Sequence, residues 1–381
     1  MKLRLLSTLL ALLFLTTIII GCGAQTPATQ SPPPGSSSPA PASPSPGGAT
    51  GNASPPIEDS FKKITVGTMA LSMGVAVQYA FEKGFFEEEG LEVEILLFPT
   101  GVPINEAYAA GQLDIAVSGM ASVYSLANGR AKWIGEINST GGLGVFVRPD
   151  SPVLSAKGQI PGKPNMYGNA DLLRGLTVIG PLGTASQFNM IRWAQQFGLS
   201  PSNYNHVHME FGAGYQAFLS GEGDAVTLNP PFSFQALDQG FVLAASFEDA
   251  TETLLMDGMF CTVDMYENRR EELVRFVRSI YRAQADLQDY NTRFDFSLRW
   301  FNESGREYTP ESLAAEIAAR DYIFEGSMTG PGYTFGKGMT EIAGFLITTH
   351  MIRPRDFPNV QASFAPDIIF EALGIQFEVD K

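Results

Sequence analysis

The stretch from residue 81 to 119 constrains the fold most. It reads FEKGFFEEEGLEVEILLF, then PTGVPINEAYAAGQ, then LDIAVSG. A helix carrying Tyr79, Ala80 and Phe81 is predicted to stop at Gly84, which is free to take the left-handed conformation that ends helices. Phe85 to Glu89 make one acidic turn, closed by Gly90. An alternating strand over 91–98 follows, with Val93, Ile95 and Leu97 on one face. A second helix over 103–110 ends at Gly111, and 114–118 reads as a short buried strand. Strands alternating with short helices predict a parallel sheet wrapped by helices, an α/β fold.

The same cycle runs on in both directions. An apolar strand, 64–69, opens the first unit, and Ser72 is placed to cap the helix after it. Beyond Ser118 come a helix to Asn128, a strand at 133–137, the loop NSTGG at 138–142, and a strand at 143–147. In a second unit, a buried strand at 176–179 leads through Gly183-Thr184-Ala185-Ser186 into a helix with Phe188, Ile191, Ala194 and Phe197 at helical spacing. Strands at 206–211, 224–228 and 242–246 alternate with helices that start at Tyr215 and after Asn229-Pro230-Pro231. The expectation is two doubly wound lobes joined by strands near 143–149 and 230–246: lobe 1 from 61–148 and 233–381, lobe 2 from 149–232. Residues 151–171 read as a loop insertion ahead of the second lobe. From Asp264 onward the pattern is helical (267–290, 294–302, 310–324, 338–349), a segment expected to pack against the first lobe.

The N-terminal part is of another kind. Lys2 and Arg4 precede an apolar run over 9–20, shorter than the roughly 20 residues of a comfortable membrane span. Gly21-Cys22 follow, and a cysteine after a small residue resembles the bacterial lipoprotein signal. Residues 1–22 are therefore expected to be a leader, with Cys22 acylated as the first residue of the mature chain. Residues 23–60, rich in Ser, Pro, Gly and Ala, bury too little apolar surface to fold and read as a Pro-stiffened tether. About 320 residues remain, enough for two lobes with cores.

The chain has 25 Lys and Arg against 40 Asp and Glu, a net charge of −15. Loss of Lys2 and Arg4 with a leader makes it more acidic still. This argues against nucleic acid or an anionic lipid surface as partner. The second cysteine, Cys261, sits in MFCTV and reads as a small core residue. The acidic clusters at 87–89 and 271–272 read as solvated faces.

Chemistry is expected where helix starts face the cleft, at 72–74, 119–121, 184–187, 214–216 and 231–233. Each offers unpaired N–H groups and a partial positive charge. The hydroxyls of Ser72, Ser118, Thr140, Thr184 and Ser186 add hydrogen bonds. Met69, Leu71, Met73, Met120, Phe188, Tyr215 and Phe232 lie beside these loops and would give a pocket apolar walls. Without an Arg or Lys evident in the loops, such a site would hold an anion or a polar heterocycle edge through backbone amides alone. His206 and His208 share a strand face, yet two ligands do not make a metal site. No Ser–His–Asp order, phosphate loop or dinucleotide fingerprint is present, so neither a cofactor nor catalysis is expected.

FEKGFFEEEGLEVEI, AYAAGQLDIAVSG, INSTGGLGVFVRPDS, LRGLTVIGPLGTAS and FGAGYQAFLSGEGDAVTLNPP together resemble the periplasmic-binding-protein family for nitrate, sulfonates, taurine and thiamine-precursor pyrimidines. The resemblance covers about 61–300. It implies a two-lobed, hinge-bending type II periplasmic-binding-protein fold and the role of extracytoplasmic receptor for an ABC importer, with a permease and its ATPase as partners and a lipid anchor as the link to the membrane. It places ligand contacts at 70–73, 118–120, 139–141, 184–187 and 229–231, here Ser72, Met73, Ser118, Gly119, Met120, Thr140, Thr184, Ser186, Gln187, Asn229 and Pro230, with Tyr215 as a wall. Where many relatives read Trp-Glu-Pro, this chain has Asn229-Pro230-Pro231. The implied ligand is a sulfonate, nitrate or pyrimidine-like compound. A sensory lipoprotein or a synthase-like enzyme of the same fold are the alternatives.

Overall fold

The computed structural model describes residues 61–251 and 255–380. The leader, Cys22 and the tether lie outside the described residues. Ten strands build two five-stranded sheets: β1 (Ile64–Thr68), β2 (Val93–Leu97), β3 (Ile115–Ser118), β4 (Ala131–Ser139), β5 (Gly144–Val147), β6 (Thr177–Gly180), β7 (Asn205–His208), β8 (Ala225–Leu228), β9 (Val242–Ser246) and β10 (Met256–Thr262). The orders are β2-β1-β3-β10-β4 and β7-β6-β8-β5-β9. Neither sheet is wholly parallel. β10 runs antiparallel to β3 and β4, and β5 runs antiparallel to β8 and β9. In each lobe the odd strand is the one that has just crossed from the other lobe. It enters from the cleft side, so it runs against its neighbours.

This topology corrects the lobe boundaries. β5 and β9 both belong to the second sheet, so the chain crosses at 139–144 and returns beyond Ser246, not at 148 and 232. β10, which the sequence reading passed over, is the fourth strand of the first sheet. The two crossings are tied together, with the Thr140 amide donating to the Leu255 carbonyl at 2.7 Å and Phe247 to Leu143 at 3.0 Å.

The turns form where glycine permits them: Gly84, Gly90 and Gly111 have φ of 74°, 77° and 73°. The central strands β1, β3 and β10 are almost wholly buried, as continuous apolar runs in covered sheets must be. The edge strand β2 departs from the expected alternation. Val93, Ile95 and Leu96 pack against the core, and Leu97 faces outward. In the second sheet the period of two sorts the core cleanly. Val145, Val147 and Val178 face a cluster with Met190 and Trp193, and Phe146, Ile179 and Val226 face Tyr215 and Phe218 on the other side.

The helical C-terminal segment packs into the first lobe's core, as expected. Phe276, Ile280, Met339, Ile342 and Ile368 all belong to it. Phe86, in the acidic turn Phe85–Glu88, stacks on Phe276 at 5.1 Å between centroids. One acidic cluster is not a solvated face: Glu272 is buried against Arg269.

Candidate functional site

Ligands of open α/β sheets sit beyond the carboxyl ends of the parallel strands. Here those ends are Met69–Leu71 after β1, Gly119–Met120 after β3, Thr140 after β4, Thr184 after β6, Phe211 after β7 and Asn229 after β8, and they meet across one cavity of about 70 Å³. Met69, Leu71, Met73, Met120, Leu143 and Phe211 supply its apolar wall. Lobe 1 contributes Ser118 and lobe 2 contributes Ser186 and Asn229. The Ser118 Oγ, Ser186 Oγ and Asn229 Oδ1 are buried without a hydrogen-bond partner. Buried polar atoms are almost always paired, so three orphans around one cavity are unusual.

A charged cluster forms the floor. Asp257 is the second residue of β10, and because that strand is antiparallel its first residues lie at the same end of the sheet as the carboxyl ends of its neighbours. Its carboxylate accepts from Asn138 Nδ2 and Thr140 Oγ1, both at 2.8 Å, and from Arg320 Nη1 at 3.2 Å. Arg320 also donates to the Ser139 carbonyl at 3.0 Å and through Nε to Glu316 at 3.1 Å. Glu316 accepts from the hydroxyls of Ser72 and Tyr308. The side chains of Asp257, Arg320 and Glu316 are only 3 %, 4 % and 1 % exposed. Burial pushes the Asp257 carboxyl above its usual range, with Arg320 pulling the other way. Burial opposes the charge on Arg320, but Glu316 and Asp257 hold its pKa above the ordinary value. Burial and the neighbouring Glu316 push the Tyr308 phenol well up.

Of the residues expected from sequence, Met73, Ser118, Gly119, Met120, Thr140, Thr184, Ser186 and Asn229 line the cavity. The others do not. Ser72 is the first residue of its helix and caps nothing; its hydroxyl turns to Glu316 instead. The Gln187 side chain is used by the Gly183 amide at 2.7 Å. Tyr215 packs into lobe 2's core beside Phe232. Pro230 stands against the crossing at Gly142. His206 and His208 remain a pair, and no group of three metal-ligating side chains exists among the described residues. His208 Nδ1 instead accepts from the Leu182 amide at 3.1 Å.

The expectation of a site without a cationic side chain is corrected by Arg320. It comes from the C-terminal segment, far along the chain from any of the loops. Glu316 and Tyr308 were missed for the same reason. Asp257 did leave a trace, as a lone acid in the apolar run LLMDGMFCTV.

Two lobes, two crossings and a cavity between facing strand ends define the periplasmic-binding-protein fold. The chain is similar over 81% of its length to the alkanesulfonate-binding protein SsuA of Xanthomonas axonopodis pv. citri bound to MOPS, covering 99% of that chain at 15% identity and a TM-score of 0.62. SsuA of Escherichia coli, an aliphatic sulphonate binding protein, matches over 79% of this chain and 92% of its own at 14% identity and a TM-score of 0.60. A curated Brachyspira hyodysenteriae protein named "Putative ABC transporter periplasmic binding protein" is 33% identical over 262 residues, 68% of this chain and 75% of that protein. The family model described as NMT1/THI5 like matches residues 75–290. The chain belongs to this NMT1/THI5-like family of binding proteins.

Proposed function

We infer that the chain is the solute receptor of an ABC importer, closing its lobes on one small molecule and delivering it to a permease served by an ATPase. The carrying observation is the set of orphaned polar atoms, Ser118 from one lobe and Ser186 and Asn229 from the other, around a cavity the lobes share. A ligand that touches both lobes favours the closed state by its differential contacts. Membership of a family with an ABC-transporter binding protein supports the same reading. Cys261 is fully buried, its thiol pushed up by desolvation, and neither a cysteine nor a histidine lines the cavity. This lining, and a relative named as a binding protein, support binding as the site's role.

Native mass spectrometry of the protein as purified tests this reading. A small-molecule adduct that is lost in Ser118→Ala/Ser186→Ala supports it, and an adduct that survives those changes removes this cavity as the site.

The apolar run, Cys22 and the Pro-rich stretch support a lipid-tethered receptor on the extracytoplasmic face, and among the described residues no helix is long and apolar enough to cross a membrane. Metabolic palmitate labelling, abolished by Cys22→Ser, checks the anchor.

A further inference from the structure

A second and larger space adjoins the ligand cavity. Leu143 and Arg320 line both, and the second measures about 400 Å³ against about 70 Å³. It lies on the first crossing itself. Gly142 and Leu143 belong to its wall, residues 318–321 come from lobe 1, and Phe146, Phe234, Leu237 and Leu243 come from lobe 2. Both lobes press on the crossing where it lacks side chains. A Cβ on Gly141 would run into the Ala319 carbonyl, and one on Gly142 would come 3.3 Å from the Phe234 ring. These walls belong to parts that move when the lobes open, so occupancy of the space and the angle between the lobes are linked.

The wall is mostly apolar with a few polar groups, the usual build of a small-molecule site between domains. Ser233, only 1 % exposed, is in the lining, and its Oγ has no hydrogen-bond partner. Glu248 and Asp321 line the same space and are exposed, and neither carboxylate has a cationic partner among the described residues. Arg320 does not neutralise them. Its side chain is 4 % exposed and already faces two carboxylates, Asp257 and Glu316. Its unclaimed Nη2 can serve an acceptor atom of an occupant, but the charges about the space leave a negative surplus.

We propose that this space on the crossing is a second small-molecule site, separate from the ligand cavity, whose occupant is a cation with a flexible apolar body, an alkyl or aralkyl ammonium. The ammonium meets Glu248 and Asp321, and the body lies along Phe146, Phe234, Leu237 and Leu243.

Calorimetry on the full chain tests this with 4-phenylbutylammonium, 4-phenylbutanol and 4-phenylbutyrate, one body carrying three different charges. The ammonium is expected to bind about three- to fivefold more tightly than the alcohol, the gain of two partly solvated ion pairs, and the butyrate to bind most weakly. Glu248→Gln with Asp321→Asn, both exposed positions, should erase the preference for the ammonium. Leu237→Ser, at a side chain 45 % exposed, should weaken the ammonium and the alcohol alike. Ser118→Ala/Ser186→Ala should leave the ammonium's affinity unchanged, because the ligand cavity takes no part. Butyrate binding as tight as the ammonium overturns the proposal. So does a preference that survives Glu248→Gln/Asp321→Asn, affinity lost in Ser118→Ala/Ser186→Ala, or no binding by any of the three. A concentration-dependent dimer dispersed by Leu237→Ser would give the space to a second copy of the chain and overturn it too. None of these outcomes touches the small-molecule adduct that tests the receptor reading, so the two stand or fall separately.

Discussion

Gly119 has no side chain because Asp257 occupies the space one would need. A Cβ there would come 2.6 Å from Asp257 Oδ1, a carboxylate already fixed by three donors. Gly119→Ala is therefore expected to destabilise the protein by about 1–3 kcal/mol and to weaken ligand binding more than tenfold. Chemical denaturation and calorimetry measure the two effects. Ser118→Ala and Ser186→Ala should behave differently. Each removes a buried hydroxyl that has no partner, so stability should hold or rise slightly while binding weakens several-fold, each hydrogen bond to the ligand being worth about 1 kcal/mol. These serines were legible in the sequence because they sit beside a strand end or a helix start. Ser72 looked the same, but its hydroxyl is claimed by Glu316, a residue the local sequence does not reveal.

At the scale of elements, the short strands and glycine-closed helices could be read directly, since each is set by local periodicity and turn chemistry. β10 could not. Its apolar residues showed a core segment, but its insertion between β3 and β4 follows from the crossing, a non-local fact. The placement of Arg320 beneath the cavity is likewise a product of how the C-terminal segment folds back. Removing this guanidinium leaves Asp257 and Glu316 buried without compensation, so Arg320→Met should cost about 3–5 kcal/mol. Asp257→Asn with Glu316→Gln in the same chain should restore most of it, which denaturation of the triple variant checks.

β4 holds a further buried acid, Glu136, whose Oε1 accepts from the Gly336 amide at 3.1 Å. Burial raises its pKa from 4.5 to about 7. Between those values the folded state holds a proton the unfolded chain has lost. The stability this group contributes is therefore complete below about pH 4.5 and is lost as pH rises to about 7. Glu136→Gln keeps an acceptor for Gly336 and removes the titration. It should flatten stability across that window and raise it at pH 8 by roughly 1–3 kcal/mol, as urea denaturation at pH 5 and pH 8 would show.

Taken whole, the molecule is two lobes already in contact around the cavity. Thr100 reaches Glu210 at 3.5 Å, Gln235 donates to the Glu307 carbonyl at 2.9 Å, and Phe188 meets Phe345 edge-on at 4.4 Å. These contacts are few and local, while the two crossings are short, so rigid lobes moving about 139–144 and the return after Ser246 is the motion the architecture allows. The central claim is that a ligand held by both lobes draws them together. Its most direct test is energy transfer between dyes on Leu97→Cys and Leu219→Cys, both exposed and one on each lobe, in a Cys22→Ser background where buried Cys261 does not react. Adding a small-molecule extract of the producing cells should raise transfer efficiency in this protein and leave it flat in Ser118→Ala/Ser186→Ala. Binding detected by calorimetry with no change in transfer would contradict the account.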